Sequence, residues 1–211
     1  MDPIKIQKKK EDDFVYCLSH LYKYSDYITI NISSPNTEGL RNFHEKNLMD
    51  QLLEKLSQLK KKKNINKPIV IKLSPDINEK EISMIIELIF KYKIDGIIIS
   101  NTSDTNREKL VDNKKSEEGG LSGLPIKDLS TQMIKKFYKE VKKKIPIIGV
   151  GGVDSGPSAF EKIIAGATAV QLYTGMVYKG PGIVKEIKKD LISTLKKEKI
   201  KKIGDAVGIN A

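Results

Sequence analysis

Residues 94–102 read Ile-Asp-Gly-Ile-Ile-Ile-Ser-Asn-Thr. The apolar part is β-branched, nearly unbroken and too short for a helix. Such a run fits a strand with both faces covered inside a parallel sheet. Four similar runs accompany it: Tyr27 to Ile32, Pro68 to Leu73, Ile145 to Val150 and Ala167 to Leu172. Amphipathic stripes separate them. Leu48, Leu52, Leu56 and Leu59 repeat at helical spacing, as do Ile82, Ile85, Ile86 and Ile89. Met133, Ile134, Phe137, Tyr138 and Val141 form the next stripe, and Phe160, Ile163 and Ile164 follow Pro157. Ile183, Val184, Ile187, Leu191 and Leu195 close the chain. All five read as core contacts, and Asn78 followed by Glu81 predicts a helix cap.

Strands alternating with helices over short connections predict right-handed, parallel βαβ units, an α/β fold. A whole (β/α)8 TIM barrel takes eight such units in about 250 residues. Here five strands follow residue 26, after a basic segment and one helix over roughly Asp12 to Tyr24. The expectation is one partial barrel domain over residues 1–211, made of about five C-terminal strand-helix units.

Composition narrows the classes. With 211 residues and 39% hydrophobic content the chain can build a real core. No stretch nears the ~18 apolar residues of a membrane span, and Met1-Asp2-Pro3-Ile4-Lys5 lacks a signal-peptide apolar region. The single cysteine, Cys17, excludes an internal disulfide and reads as a buried thiol in a reducing compartment. The net charge of +11 invites a polyanionic partner. However, the lysines are scattered over many helix faces, and the runs Lys60 to Lys63 and Lys142 to Lys144 end helices, where cations suit the dipole. Aromatics are not interleaved with them, so no nucleic-acid role is expected.

Polar clusters fall at the strand ends. Asn31 to Asn36 follow the first strand, Lys72 interrupts the second, and Ser100, Asn101 and Thr102 end the third. Gly151 and Gly152 end the fourth, and Tyr173-Thr174-Gly175 follow the fifth. In a barrel these ends share one mouth. Two glycine-bearing loops late in the barrel suit a phosphate, since glycine lets backbone amides come close to an anion. A lysine in a buried strand is rare unless it is paired or functional; it could instead snorkel to water. Gly119-Gly120-Leu121-Ser122-Gly123 follows a polar excursion from Asp104 to Glu118 and reads either as a flexible turn or as a loop over a bound cofactor. His20 and His44 are both expected on the surface. No Ser-His-Asp arrangement or metal-ligand spacing is evident.

Asn31-Ile-Ser-Ser-Pro-Asn-Thr, Ser100-Asn-Thr, Gly119-Gly-Leu-Ser-Gly, Pro146-Ile-Ile-Gly-Val-Gly-Gly and Gln171-Leu-Tyr-Thr-Gly together resemble dihydroorotate dehydrogenase, in order from about Asp12 to Gly182. The resemblance implies an FMN-dependent barrel that oxidises dihydroorotate to orotate in pyrimidine synthesis. A serine at the base position, here Ser34, resembles class 2, the membrane-associated form that reduces a quinone. It implies that Ser34 takes the C5 proton while hydride leaves C6 for the flavin. Asn31 would touch flavin and substrate, and Asn36, Asn101 and Thr102 would hold substrate. Lys72 would lie near the flavin pyrimidine edge. Ser100 and Gly123 would line the flavin, with Gly152, Tyr173 and Thr174 at its phosphate. Glu38 stands where the family usually has proline. Compared with the family, the chain starts late, and Met1 to Lys10 reads as the tail of a preceding region. Membrane contact, peripheral and on the cytoplasmic side, is implied only for the full-length form. A truncated chain with weak or no activity alone is expected. The alternatives are another FMN barrel, such as a dihydrouridine synthase acting on RNA, and an inactive phosphate-binding half-barrel.

Overall fold

The computed structural model describes residues 10–105 and 107–211. The segment Met1 to Lys10, apart from Lys10 itself, lies outside them. Helix α1 (Lys10–Leu21) leads into strand β1 (Ile28–Asn31), and helix α2 (Lys46–Lys62) into β2 (Ile69–Leu73). Helix α3 (Glu79–Lys91) precedes β3 (Gly96–Ile99), and α4 (Lys127–Val141) precedes β4 (Ile147–Val150). Helix α5 (Gly156–Ile164) and β5 (Ala169–Gln171) follow, then the short α6 (Thr174–Lys179), α7 (Ile183–Lys197) and α8 (Ile203–Ala206).

The five strands form one parallel sheet in the order β1-β2-β3-β4-β5. Its central strands are apolar apart from Lys72: Ile69, Val70, Ile71, Leu73 and all of Gly96–Ile99 are buried. Helices account for this burial on one side, through Met49, Leu52, Leu53 and Leu56 of α2, Ile82, Ile85 and Ile89 of α3, and Met133, Ile134, Phe137 and Val141 of α4. A second, smaller cluster joins Val153 and Ala159 to Ile183 and Ile187 of α7. The architecture is an incomplete (β/α)8 barrel.

Local chemistry sets the helix starts. The Asn78 side chain accepts from the Glu81 amide at 3.1 Å, and the Asn78 amide donates to the Glu81 carboxylate at 2.7 Å, the reciprocal cap the spacing predicts. Ser155 and Ser158 cap α5 in the same way, with Pro157 in its first turn. Lys60, Lys61 and Lys62 do end α2, and Lys142–Lys144 form a 3-10 turn after α4.

Three expectations fail, the first at Val184, which is exposed rather than a core contact because it lies on the outer side of α7. Cys17 is exposed, because α1 turns Leu18 inward, and the thiol beside it points away from the core. His44 is only 4% exposed, because the loop between β1 and α2 folds it under the strand ends against Ser74. His20 is on the surface, as expected. The first helix ends at Leu21, and Tyr22–Tyr24 continue as a 3-10 turn.

Candidate active site

The register puts the strand ends level. Asn31 pairs with Lys72, Leu73 with Ile99, Ile99 with Gly149 and Val150 with Gln171. The loops that follow therefore emerge on one rim, around a cleft of about 820 Å³. Lys72, Ser100, Asn101 and Thr102 line one part of it, and Gly123, Gly152, Tyr173 and Thr174 another.

Lys72 is half-buried in the cleft wall, and burial holds its ammonium below the usual lysine range. Among the described residues no carboxylate or hydrogen-bond acceptor pairs with it. A partly desolvated cation without an anion carries an unfavourable energy that a ligand's negative charge would relieve.

Next to it the amides interlock. The Asn101 side-chain NH2 donates to Asn31 Oδ1 at 3.1 Å and to Ser33 Oγ at 3.0 Å, while Asn101 Oδ1 accepts from the Thr102 amide at 2.8 Å. Ser33 Oγ donates to Asn31 Oδ1 at 3.1 Å. Asn31, Asn101 and Thr102 thus meet, as their positions at strand ends predict. A ligand carbonyl could take over these bonds at little net cost, because one hydrogen bond would replace another. Ser34 is half-buried, and its Oγ accepts from the Asn36 amide at 3.3 Å. Asn31, Ser34 and Asn36 stand beside the lined cleft rather than in its wall, and Asn31 and Asn36 are exposed. Their loop still reaches the mouth: a Cβ on Gly120 would come to 3.0 Å of Pro35 Cγ.

The glycine loops are tightly seated. Gly152 has φ +70°, and a Cβ there would fall 2.4 Å from Lys127 Cβ. Gly123, at φ +76°, would meet Thr174 Cγ2 at 2.9 Å. Glycine is required at both positions by conformation and by space. Thr174 Oγ1 donates to Ser122 Oγ at 3.0 Å, which ties the loop ahead of α4 to the one after β5. The Tyr173 side chain is 79% exposed at the rim. Ser100 is buried, with its Oγ donating to the Asn101 carbonyl at 3.0 Å.

The family profile described as Dihydroorotate dehydrogenase matches residues 3–195. The chain belongs to the dihydroorotate dehydrogenase family. A dihydroorotate dehydrogenase (quinone) from Idiomarina loihiensis is 44% identical over 180 residues, covering 83% of this chain and 54% of that protein. Another of that name from Trichodesmium erythraeum is 42% identical over 205 residues, covering 93% and 53%. The ligand-free dihydroorotate dehydrogenase of Eimeria tenella superposes with a TM-score of 0.91 at 30% identity, covering 96% of this chain and 60% of that one. The chain thus spans about half the length of the curated relatives it matches. Membership in the dihydroorotate dehydrogenase family sets aside the RNA-modifying alternative.

Sequence reasoning missed Arg41 and Asp76, which tie three mouth loops together. It also missed Arg107, which donates to the carbonyls of Lys115 and Glu117 at 3.0 and 2.9 Å and folds the polar excursion back on itself. Arg41 lies four residues past the first motif in the sequence, and nothing in one sequence reveals a partner 35 residues away. Buried Lys162 was missed as well. Its Nζ donates to the Lys127 carbonyl and to Thr131 Oγ1, both at 2.6 Å, and burial pulls it down to about 8.

Proposed function

We propose that this chain supplies the substrate-facing and flavin-facing part of an FMN-dependent enzyme that oxidises dihydroorotate to orotate and passes electrons to a quinone. The observation that carries the reading is the half-buried Lys72, unpaired among the described residues, in the wall of a cleft of mononucleotide size where Asn101 bonds to Asn31 at its edge. The residues present fit FMN. Lys72 would face the edge of its ring system where negative charge gathers, Ser100 and Gly123 would flank it, and Gly152, Tyr173 and Thr174 would hold its phosphate. When bound, FMN supplies the acceptor for hydride from C6.

Asn31, Asn36, Asn101 and Thr102 would hold the substrate's carboxylate and ring carbonyls. Ser34 would accept the C5 proton. A neutral hydroxyl is a weak base, so its own proton must leave as the new one arrives. A water at Ser34 Oγ would carry that proton away. Lys72 would stabilise charge where it develops, a preorganised contribution that costs no rearrangement during the step. The quinone belongs to the same proposal, carried by the names of the relatives; a peripheral position on the cytoplasmic side of a membrane belongs to it only through the class that Ser34 resembles. No described helix is long and apolar enough to cross a membrane.

The test uses this 211-residue chain and, separately, the chain extended to full barrel length with the remaining strand-helix units of the Idiomarina loihiensis relative. The extended protein should purify with flavin absorbance and reduce a dye when given dihydroorotate; the 211-residue chain alone should show little or no turnover. Ser34→Ala in the extended protein should retain flavin and lose at least about 100-fold in rate. Normal turnover by that variant would remove Ser34 from the mechanism, and an extended protein without flavin would end the proposal.

A further inference from the structure

The loops after β1, β2 and β3 are joined by a part-buried cluster in which Arg41 pairs with Asp76 and Asp104. Arg41 Nε donates to the Ser33 carbonyl at 3.3 Å and Nη2 to the Thr102 carbonyl at 3.0 Å. Its Nη1 meets Asp76 at 3.1 Å and Asp104 at 2.7 Å. Asp76 in turn accepts from Ser103 Oγ at 2.6 Å, Thr105 Oγ1 at 3.0 Å and the Asp104 amide at 3.2 Å. The Arg41 and Asp76 side chains are 22% and 13% exposed, so this is no solvated surface pair.

We propose that Arg41, held by Asp76, is a positioning residue that fixes the Ser34 loop against the Asn101-Thr102 loop. Two of its bonds fall on backbone carbonyls adjoining residues assigned to the site. Holding the Ser33 carbonyl fixes the peptide plane that leads into Ser34. Holding the Thr102 carbonyl fixes the backbone that presents the Asn101 and Thr102 side chains. Only a planar fork with several donors can reach two carbonyls and two carboxylates at once; an ammonium is a point charge on a flexible stem. The inference rests on the proposed function for what the two loops do, and on geometry alone for the clasp. Displacements of about 1 Å at a reacting group cost on the order of 100-fold in rate, so a loose clasp should show in the chemical step.

The clasp itself is tested by amide hydrogen exchange in the 211-residue chain. Arg41→Lys should speed exchange in residues 33–37 and 102–105 while leaving the amides of β2 and β3 as they were. Unchanged exchange in both loops would overturn the clasp whatever the activity. The positioning role is tested in the extended protein with dihydroorotate carrying hydrogen or deuterium at C5. Arg41→Lys should keep its flavin and slow flavin reduction about tenfold or more, with a larger C5 isotope effect and a smaller change in KM. Asp76→Asn should do the same, and the double variant should lose less than the product of the two. Faster loop exchange with an unaltered reduction rate and isotope effect would leave Arg41 as a structural link only and overturn the positioning role. An unsubstituted extended protein that binds flavin but does not oxidise dihydroorotate would instead strike the proposed function, while the exchange result still decides the clasp.

Discussion

His44 shows how one side chain carries a pH dependence. Its Nδ1 lies 2.9 Å from the Arg41 carbonyl and its Nε2 3.4 Å from the Ser74 amide. The carbonyl requires a donor and the amide an acceptor, so the ring is neutral with its proton on Nδ1. Burial holds the imidazole below its ordinary value of 6.5, against the opposing pull of the Arg41 carbonyl. The unfolded chain therefore takes up a proton near 6.5 that the folded chain refuses, and stability falls as pH drops below that value. The slope attributable to His44 is at most about 1.4 kcal/mol per pH unit. Urea unfolding at pH 7.5 and 5.5 should show a smaller loss for His44→Gln than for the unsubstituted chain; equal losses would discharge the ring from this role. This residue was misread because single histidines in polar loops give no periodic signal. Cys17 was misread for the opposite reason: apolar neighbours suggested burial, but α1 buries only one narrow face.

At the scale of elements, β2 and β3 were the most legible strands because burial on both faces demands unbroken apolar runs, whereas β1 and β5 keep exposed positions. Their ends were less so. Tyr27 to Ile32 shrinks to Ile28–Asn31, and the runs beginning at Pro68 and Ile145 begin pairing at Ile69 and Ile147. Pro68 and Pro146 lack an N–H to donate, though their carbonyls accept from Ile28 and Ile97 at 2.9 and 3.0 Å. Helix α6 was not foreseen because Met176, Val177 and Tyr178 are exposed and leave no buried stripe to read. Helix α4, by contrast, is firmly specified by its stripe. Phe137 is fully enclosed at 0% exposure among the residues facing the sheet. Phe137→Ala should cost about 3–5 kcal/mol in chemical denaturation. A loss below about 1 kcal/mol would show that α4 is not anchored through this ring.

At the scale of the molecule, the candidate site was legible only in part. Strand ends announced which residues would meet at the mouth, and Lys72, Asn101, Thr102, Gly123, Gly152 and Thr174 do line one cleft. What holds the loops in place was invisible, because Arg41 and Asp76 are joined by folding and not by spacing. The sheet also curls far enough for the Tyr27 hydroxyl and the Gln171 side-chain amide, 144 residues apart, to approach within 3.4 Å. Among the described residues no further strand pairs with β1 or β5. Apolar side chains are exposed on the segments next to both in the chain: Leu21 at 56% and Tyr24 at 87% before β1, Val177 at 66% and Tyr178 at 85% after β5. Open parallel edges flanked by apolar surface favour association. Sedimentation velocity on the 211-residue chain alone should show self-association that grows with concentration in the micromolar range. A sharp monomer boundary throughout that range would contradict it.

The order of the strands has a further consequence. Each strand pairs with the one before it in the chain, so the sheet can lengthen from one side as the polypeptide is made. No strand needs to be threaded between two others already in place. Loop-closure entropy is then met in instalments of one helix each, and the long-range meeting of Tyr27 and Gln171 comes last. Every intermediate on such a route is a shorter copy of the final sheet, with one temporary edge that the next unit to emerge will cover.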